Sequence, residues 1–260
     1  MKHEKILAIE RHKEILDLLQ MNGNVKISDL VKKFRVSRET IRRDLIYLDK
    51  EGLLKRGHGG AISITEVQSL PTTERIAQTS NIKQKLCSRA FDFIRNATPS
   101  DVIYLDAGST ISHLAKIIAT ESNLSVVTAS LSVCDSLLDS NNTIIIAGGQ
   151  VNSFNRSTIG PQTIDFFKSL HMSIAFLGTN GFEQHSGPAV TSYSDAEIKK
   201  AVLPNAKLKV VISDSSKAYS SALIQYANWL DIDYFITDSN LPQSAREEIS
   251  KYTNLIIIDI

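Results

Sequence analysis

At 260 residues the chain is long enough for two ordinary domains, and 42% hydrophobic with 22% charged residues, 12 Gly and 6 Pro exclude a fibre, a collagen-like chain and a disordered one. The net charge of +1 hides an asymmetry: residues 1–60 carry 14 Lys and Arg against 9 Asp and Glu, and the remainder carries 15 against 19. A small basic module joined to a larger acidic one suggests a polyanionic partner for the first.

In the first module Ile6, Ile9, Ile15, Leu16 and Leu19 share one side of a helix expected from about Glu4 to Gln20, stopped by Asn22-Gly23-Asn24. Ser28 can cap a second helix with Leu30, Val31 and Phe34 turned inward, and Arg35-Val36 leads to Ser37, which can cap a third. There Ile41, Leu45 and Leu48 face the core, leaving Glu39 and Arg43 opposite with Thr40 and Arg42 on the flanks, and Gly52 closes the helix. Leu53 to Ile62 has apolar ends around a basic, Gly-rich tip, the pattern of a short hairpin. The whole predicts a winged helix-turn-helix. Such a module places the start of one helix in a major groove while nearby cations hold phosphates. The candidate DNA contacts are Ser28, Ser37, Arg38, Thr40, Arg42, Arg43, Arg56 and His58.

The stretches Phe34 to Ser37, Thr40 to Leu45, Gly52-Leu53 and Arg56 to Ala61, with Val25, Leu30 and Leu48, resemble the N-terminal signature of the DeoR family of bacterial transcriptional regulators. The resemblance implies a winged helix-turn-helix that binds double-stranded operator DNA.

From Val102 onward, apolar runs predict strands at Val102–Leu105, Leu124–Val127, Thr143–Ala147, Ile174–Leu177, Leu208–Ile212, Tyr234–Ile236 and Leu255–Ile258. Helical stretches alternate with them, which predicts an α/β domain around a mostly parallel sheet with its ligand at the carboxyl ends of the strands. Small and polar residues gather at those ends: Asp106 to Thr110, Thr128 to Ser130, Gly148-Gly149, Gly178 to Gly181 and Asp214 to Lys217. Gly108, Ser109 and Thr110 open a helix and can hold a phosphate by backbone and hydroxyl donors. Asp106 is expected to contact the neutral part of the ligand or to orient Lys217. Arg156, with Ser157 and Gly160 nearby, is either a phosphate clamp or an exposed loop cation.

The resemblance extends from about Pro71 to the end, through Glu74-Arg75, Asp106 to Thr110, Gly148-Gly149, Gly160, Phe176 to Gly178, Gly181, Glu197, Lys199 and Asp214 to Lys217. These are similar to the family's sugar-phosphate-sensing domain, whose fold is similar to ribose-5-phosphate isomerase. A small phosphorylated sugar is the implied effector. The candidate effector contacts are Asp106, Gly108, Ser109, Thr110, Thr128, Gly148, Gly149, Arg156, Gly178, Gly181, Glu197, Lys199, Asp214 and Lys217. The chain departs from the family at Ala129, where Asn is usual, at Asn180, where Asp is usual, and in the run Val190 to Ser194.

The expected organisation is a DNA-binding domain over 1–62, a linker over 63–82 and an effector and oligomerisation domain over 83–260. The leading function is a repressor of a carbohydrate-catabolic operon, relieved by the phosphorylated sugar and acting as a homo-oligomer, dimer or tetramer. One alternative is a regulator whose sensor domain answers to a partner protein. The other is an isomerase-like enzyme, which Asn180 disfavours because an amide cannot act as a base. Cys87 and Cys134 are too few for a disulfide framework and His58 lacks ligand partners, so no metal and no cofactor are expected. No apolar run approaches a membrane span and the charged start is unlike a secretory signal, so no membrane partner and a cytoplasmic location are expected.

Overall fold

The computed structural model describes residues 8–22, 24–50, 54–57, 59–62, 72, 80–183, 185–220 and 222–260. The chain divides into two compact units, Met1–Leu70 and Pro71–Ile260.

In the first unit helix α1 (Ala8–Asn22) is followed by strand β1 (Asn24–Lys26), helix α2 (Ile27–Phe34) and helix α3 (Arg38–Lys50). Strands β2 (Lys55–Gly57) and β3 (Gly60–Ile62) form the wing, and β3 lies between β2 and β1 in one antiparallel sheet. The third strand, β1, was not expected, because three residues carry too little alternation to read. Gly60 is required where β3 meets β1, since a Cβ there would come within 2.0 Å of the Val25 carbonyl oxygen. Ile15, Leu19, Leu30, Phe34, Ile41, Leu45 and Leu48 build the core as their spacing demands, and Leu16 and Val31 pack partly buried at its margin. The helix start at Glu4, Ile6, the Ile9 side chain and the stops at Gly23 and Gly52 lie outside what is described.

Ser28 does not cap α2. The helix starts at Ile27 with Lys26 at the cap position, so Ser28 sits in the first turn, exposed, with its hydroxyl on Asp29 (3.2 Å). Burial of Ile27 sets the earlier start. Ser37 does cap α3, accepting from the Thr40 N–H at 3.0 Å. Arg35 takes the left-handed conformation (φ 51°) that ends α2, and its N–H satisfies the Val31 carbonyl.

The second unit opens with helix α4 (Ser80–Phe91), which begins inside the stretch expected to be linker. Thr72, also in that stretch, donates its N–H to the Phe154 carbonyl, so it packs with the second unit. Strand β4 (Val102–Leu105), helix α5 (Ser109–Ile118), strand β5 (Ser122–Thr128), helix α6 (Leu131–Leu137) and strand β6 (Asn141–Ile146) follow. A hairpin of β7 (Gln150–Asn152) and β8 (Ser157–Ile159) leads to helix α7 (Pro161–Lys168) and strand β9 (Met172–Leu177). Then come β10 (Ala189–Val190), helix α8 (Tyr193–Val202), β11 (Ala206–Ile212), β12 (Ile224–Gln225), β13 (Tyr234–Asp238), helix α9 (Gln243–Ile249) and β14 (Asn254–Ile258).

All seven expected strands join one sheet in the order β14-β13-β11-β9-β4-β5-β6, and each adjacent pair is parallel. A parallel sheet must be covered on both faces. Helices α4, α5 and α6 cover one face through Leu86, Leu114, Ile118 and Val133, while α7, α8 and α9 cover the other through Phe167, Ile198, Val202 and Ile249. The chain moves from β4 outward to β6, then returns to build from β9 to β14. Strand order therefore reverses between β4 and β9, and in open α/β sheets such a switch point, outside the carboxyl ends, is where ligands bind.

Candidate functional site

In the first unit the basic residues stand clear of the core. Arg38, Arg42 and Arg43 are exposed on α3 and Arg56 is exposed on the wing, while Ser37 and Thr40 bond to each other at the helix start. His58 at the wing tip lies outside the described residues. Arg43 Nε lies 3.5 Å from Glu39 Oε1 across one turn, with both side chains largely in solvent.

What holds α3 in place is a buried ion pair that the sequence reading missed. Arg11 on α1 donates through Nε and Nη2 to the two oxygens of Asp44 on α3, at 2.6 and 2.9 Å, and His12 Nε2 meets the same carboxylate at 2.9 Å. Burial pushes the Asp44 carboxyl up, but the hydrogen bonds from Arg11 and His12 hold it below the usual carboxylate range. The bond to Asp44 raises the Arg11 guanidinium. A two-pronged contact of this kind fixes orientation as well as distance. His12 also stacks on Tyr47 of α3, with ring centroids 5.0 Å apart.

In the second unit the switch point between β4 and β9 is organised around Asp106, the residue after β4. It is 1% exposed and does not face outward as expected. Its Oδ1 accepts from the Tyr104 hydroxyl at 3.2 Å, and its Oδ2 accepts from the Gly178 N–H at 2.8 Å and pairs with the Lys199 ammonium. The partner is thus Lys199 of α8, not Lys217. Lys199 is itself 1% exposed, reaches Asp195 at 3.5 Å one turn earlier, and lies 5.4 Å from the Tyr226 ring centroid. Burial lowers the Lys199 ammonium, but the two carboxylates raise it further, so it stays charged. The Tyr226 hydroxyl closes the set by donating to the Gly178 carbonyl at 2.9 Å.

Beside this pair the chain turns through Gly108 (φ 151°) into α5. The first helical bond runs from Ser112 N–H to the Gly108 carbonyl, so the N–H groups of Ser109, Thr110 and Ile111 have no acceptor within the helix. That end carries the positive pole of the helix dipole. Because Lys199 neutralises Asp106, an anion at the start of α5 does not face an isolated carboxylate.

The other candidates divide into lining and framework. Thr128 is fully buried, donating to the Leu105 carbonyl and accepting from the Ser130 N–H, so it braces the strand end and is not a ligand contact in this arrangement. Gly149 (φ 148°) packs against Ile159, and the Gly148 carbonyl accepts from Thr163. Gly181 pairs with Ala189 and leaves no room for a Cβ beside the Ser220 carbonyl. Asp214 caps the short turn that carries Lys217 by accepting from Ser216. Glu197 is taken up by Lys200 at 3.4 Å. Arg156 is exposed at the β7–β8 turn, next to the Ser157 bridge to Ser130. Asn180 accepts from the Thr191 N–H, and Ala129 is buried.

A family model described as the DeoR-like helix-turn-helix domain matches residues 11–67, and one described as the DeoR C-terminal sensor domain matches residues 78–239. The chain belongs to the DeoR family. It is therefore a DNA-binding transcriptional regulator and not an enzyme. Among DeoR-family relatives, it is 29% identical over 94% of its length to the HTH-type transcriptional regulator GlpR of Haloferax volcanii, covering 95% of that protein. It is 28% identical over 94% of its length to the glycerol-3-phosphate regulon repressor of Escherichia coli, covering 96% of it. Ribose 5-phosphate isomerase A of Methanocaldococcus jannaschii overlaps 54% of this chain and 55% of its own at 18% identity, with a TM-score of 0.38.

Within this DeoR-family sensor, Tyr104, Asp195 and Tyr226 are the residues the sequence reading missed. Two carried a signal: Tyr104 lies two residues before Asp106 along a strand, and Asp195 lies four before Lys199 on a helix. Tyr226 carried none, because it arrives from a distant short strand.

Proposed function

We propose that this regulator is a repressor of a carbohydrate-related operon, released when a small phosphorylated sugar or polyol binds at the switch point between β4 and β9. The observation that carries this reading is the neutralised Asp106–Lys199 pair set beside the uncapped start of α5. The phosphate sits on the N–H groups of Ser109 to Ile111, with the Thr110 hydroxyl beside it, gaining about 1 kcal/mol from the dipole. Charged hydrogen bonds add about 1.5 to 3 kcal/mol each. Lys217, beyond the end of β11, and Arg156, in the β7–β8 turn, are the candidates for further positive charge. The name of the Escherichia coli relative, a glycerol-3-phosphate regulon repressor, supports a phosphorylated small molecule.

Residues 1–62 act as the DNA-binding part, and the second unit, with α4 from Ser80 included, acts as the sensor and the oligomerisation surface. Two or more DNA modules at fixed spacing supply the specificity that one short half-site lacks. The effector changes operator affinity only by the difference in its own affinity for the two arrangements of those modules.

Calorimetry with a panel of phosphorylated sugars and polyols and their unphosphorylated counterparts tests the sensor. The phosphorylated form of one compound binds and its counterpart does not. Equal binding of both refutes the phosphate seat. Binding by none of them favours a sensor that answers to a partner protein. Light scattering at micromolar concentration gives a dimer or tetramer, and a monomer with full operator affinity refutes the oligomer.

A further inference from the structure

The outer face of α3 carries three side chains whose combination specifies more than general attraction to DNA. With Ile41, Leu45 and Leu48 buried, a helix of about 3.6 residues per turn sets Glu39, Arg43 and Ile46 on the opposite side. The Glu39 and Arg43 side chains are 60% and 78% exposed, and Ile46 is 45% exposed. An ion pair this open contributes little to stability. A carboxylate on the face that meets a polyanion also opposes binding to DNA in general. Glu39 is thus unfavourable on that face unless something on the DNA donates to it.

In the major groove the cytosine N4 amino group is the donor suited to a carboxylate, whereas the acceptors of guanine and thymine repel it. Arg43, one turn along, has the fork that matches guanine O6 and N7. Ile46 presents an aliphatic surface suited to the thymine methyl group. At ~1.5 Å rise per residue, Glu39 and Arg43 are ~6 Å apart along the helix and Ile46 is ~4.5 Å further, against ~3.4 Å per base pair.

We infer that α3 reads a short run of base pairs in which Glu39 accepts from a cytosine amino group, Arg43 donates to a guanine about two pairs along, and Ile46 packs on a thymine methyl beyond it. Glu39 is a specificity-determining residue: it rejects wrong sequences by leaving its carboxylate unpaired against them. The inference rests on α3 entering the major groove.

The test enriches a randomised duplex pool on the full-length protein, then titrates the enriched duplex and a scrambled one with wild type, Glu39→Gln and Ile46→Ala. For Glu39→Gln, preference for one C·G pair falls by about 5- to 150-fold. At the same time the scrambled duplex binds more tightly, because a like charge has been removed. For wild type, replacing the contacted thymine by uracil, which lacks the methyl group, weakens binding, and Ile46→Ala is indifferent to that replacement. If Glu39→Gln weakens both duplexes together, Glu39 merely holds Arg43 and the inference fails. If uracil replacement has the same effect on wild type and Ile46→Ala, the thymine contact fails. A wild-type protein that enriches no sequence overturns sequence-specific operator binding itself, and this inference with it.

Discussion

Replacing Asp106 by Asn removes the charge opposite Lys199 while keeping nearly the same volume; its one amide oxygen still accepts from the Gly178 N–H, and its Nδ2 donates to the Tyr104 hydroxyl, which had bonded the other carboxylate oxygen. Lys199 then remains 1% exposed, and among the described residues Asp195, 3.5 Å away, is the carboxylate left to balance it. Breaking a buried pair from one side costs about 3 to 5 kcal/mol. Asp195 keeps the loss at the lower end, about 3 kcal/mol. In a unit of this size that lowers Tm by about 6 to 12 °C. Trp229, the sole tryptophan, is buried in the second unit and reports its unfolding by fluorescence in urea. Adding Lys199→Met to Asp106→Asn removes the stranded charge, so the double variant recovers part of the loss, with a coupling of about 1 to 3 kcal/mol. A cost under about 1 kcal/mol for Asp106→Asn, or strictly additive losses, refutes the buried pair. The pH dependence has a definite sign. Because the folded-state value of Lys199 is raised, its contribution is complete below the ordinary ammonium pKa of ~10.4 and is lost as pH climbs through the higher folded value.

Asp44→Asn, which breaks the two-pronged contact with Arg11, costs about 1.5 to 3 kcal/mol in helical melting of the first unit; a loss below about 1 kcal/mol contradicts that contact. The Asp44 carboxyl is lowered on folding, so its stabilisation is present above the ordinary value of ~3.9 and disappears as pH falls through the folded value. Arg42→Ala and Arg43→Ala each weaken operator binding by about 1 to 3 kcal/mol if they meet bases, or reduce the salt slope by about one if they meet phosphates, without altering the melting curve. Unchanged binding of both across a gel-shift salt series refutes the assignment of α3. Gly149→Ala forces a Cβ to within 2.2 Å of Thr163 and 2.6 Å of the Ile159 carbonyl at a φ of 148°, so it unfolds the second unit at lower urea; an unchanged midpoint refutes that close packing. The buried Cys87 thiol is pushed up to about 12, so at pH 8 an aromatic disulfide reagent labels the half-buried Cys134 and reaches Cys87 only on unfolding.

The legible parts of this chain were those with long periodic patterns or strong punctuation. Seven strands could be read because each is an apolar run bounded by turn residues, and burial on both faces makes such runs continuous in the inner strands β4, β9, β11 and β13. Ser37 was legible as a cap because a serine precedes an amphipathic helix by one residue; Ser28 looked the same, but burial of Ile27 moved the helix start ahead of it. The positions at the strand ends could be gathered from sequence, since a parallel sheet puts them all at one edge. Their roles could not. Whether Asp106 faces solvent or a lysine 93 residues later depends on how α8 packs, which no local pattern contains. The Arg11–Asp44 pair was hidden for the same reason, because a carboxylate on a basic helix reads as a solvated charge until α1 is brought against it.

The proposed function couples a phosphate seat at the start of α5 to operator release. Fluorescence anisotropy of the full-length protein on a duplex enriched from a randomised pool, titrated with phosphorylated sugars and polyols and with their unphosphorylated counterparts, tests this directly. One phosphorylated compound lowers duplex affinity and its counterpart does not, and replacing Thr110 by Val in the seat shifts the release to higher concentration while leaving duplex affinity unchanged. Release by the unphosphorylated compound at the same concentration, or a Thr110→Val response identical to wild type, would contradict the claim.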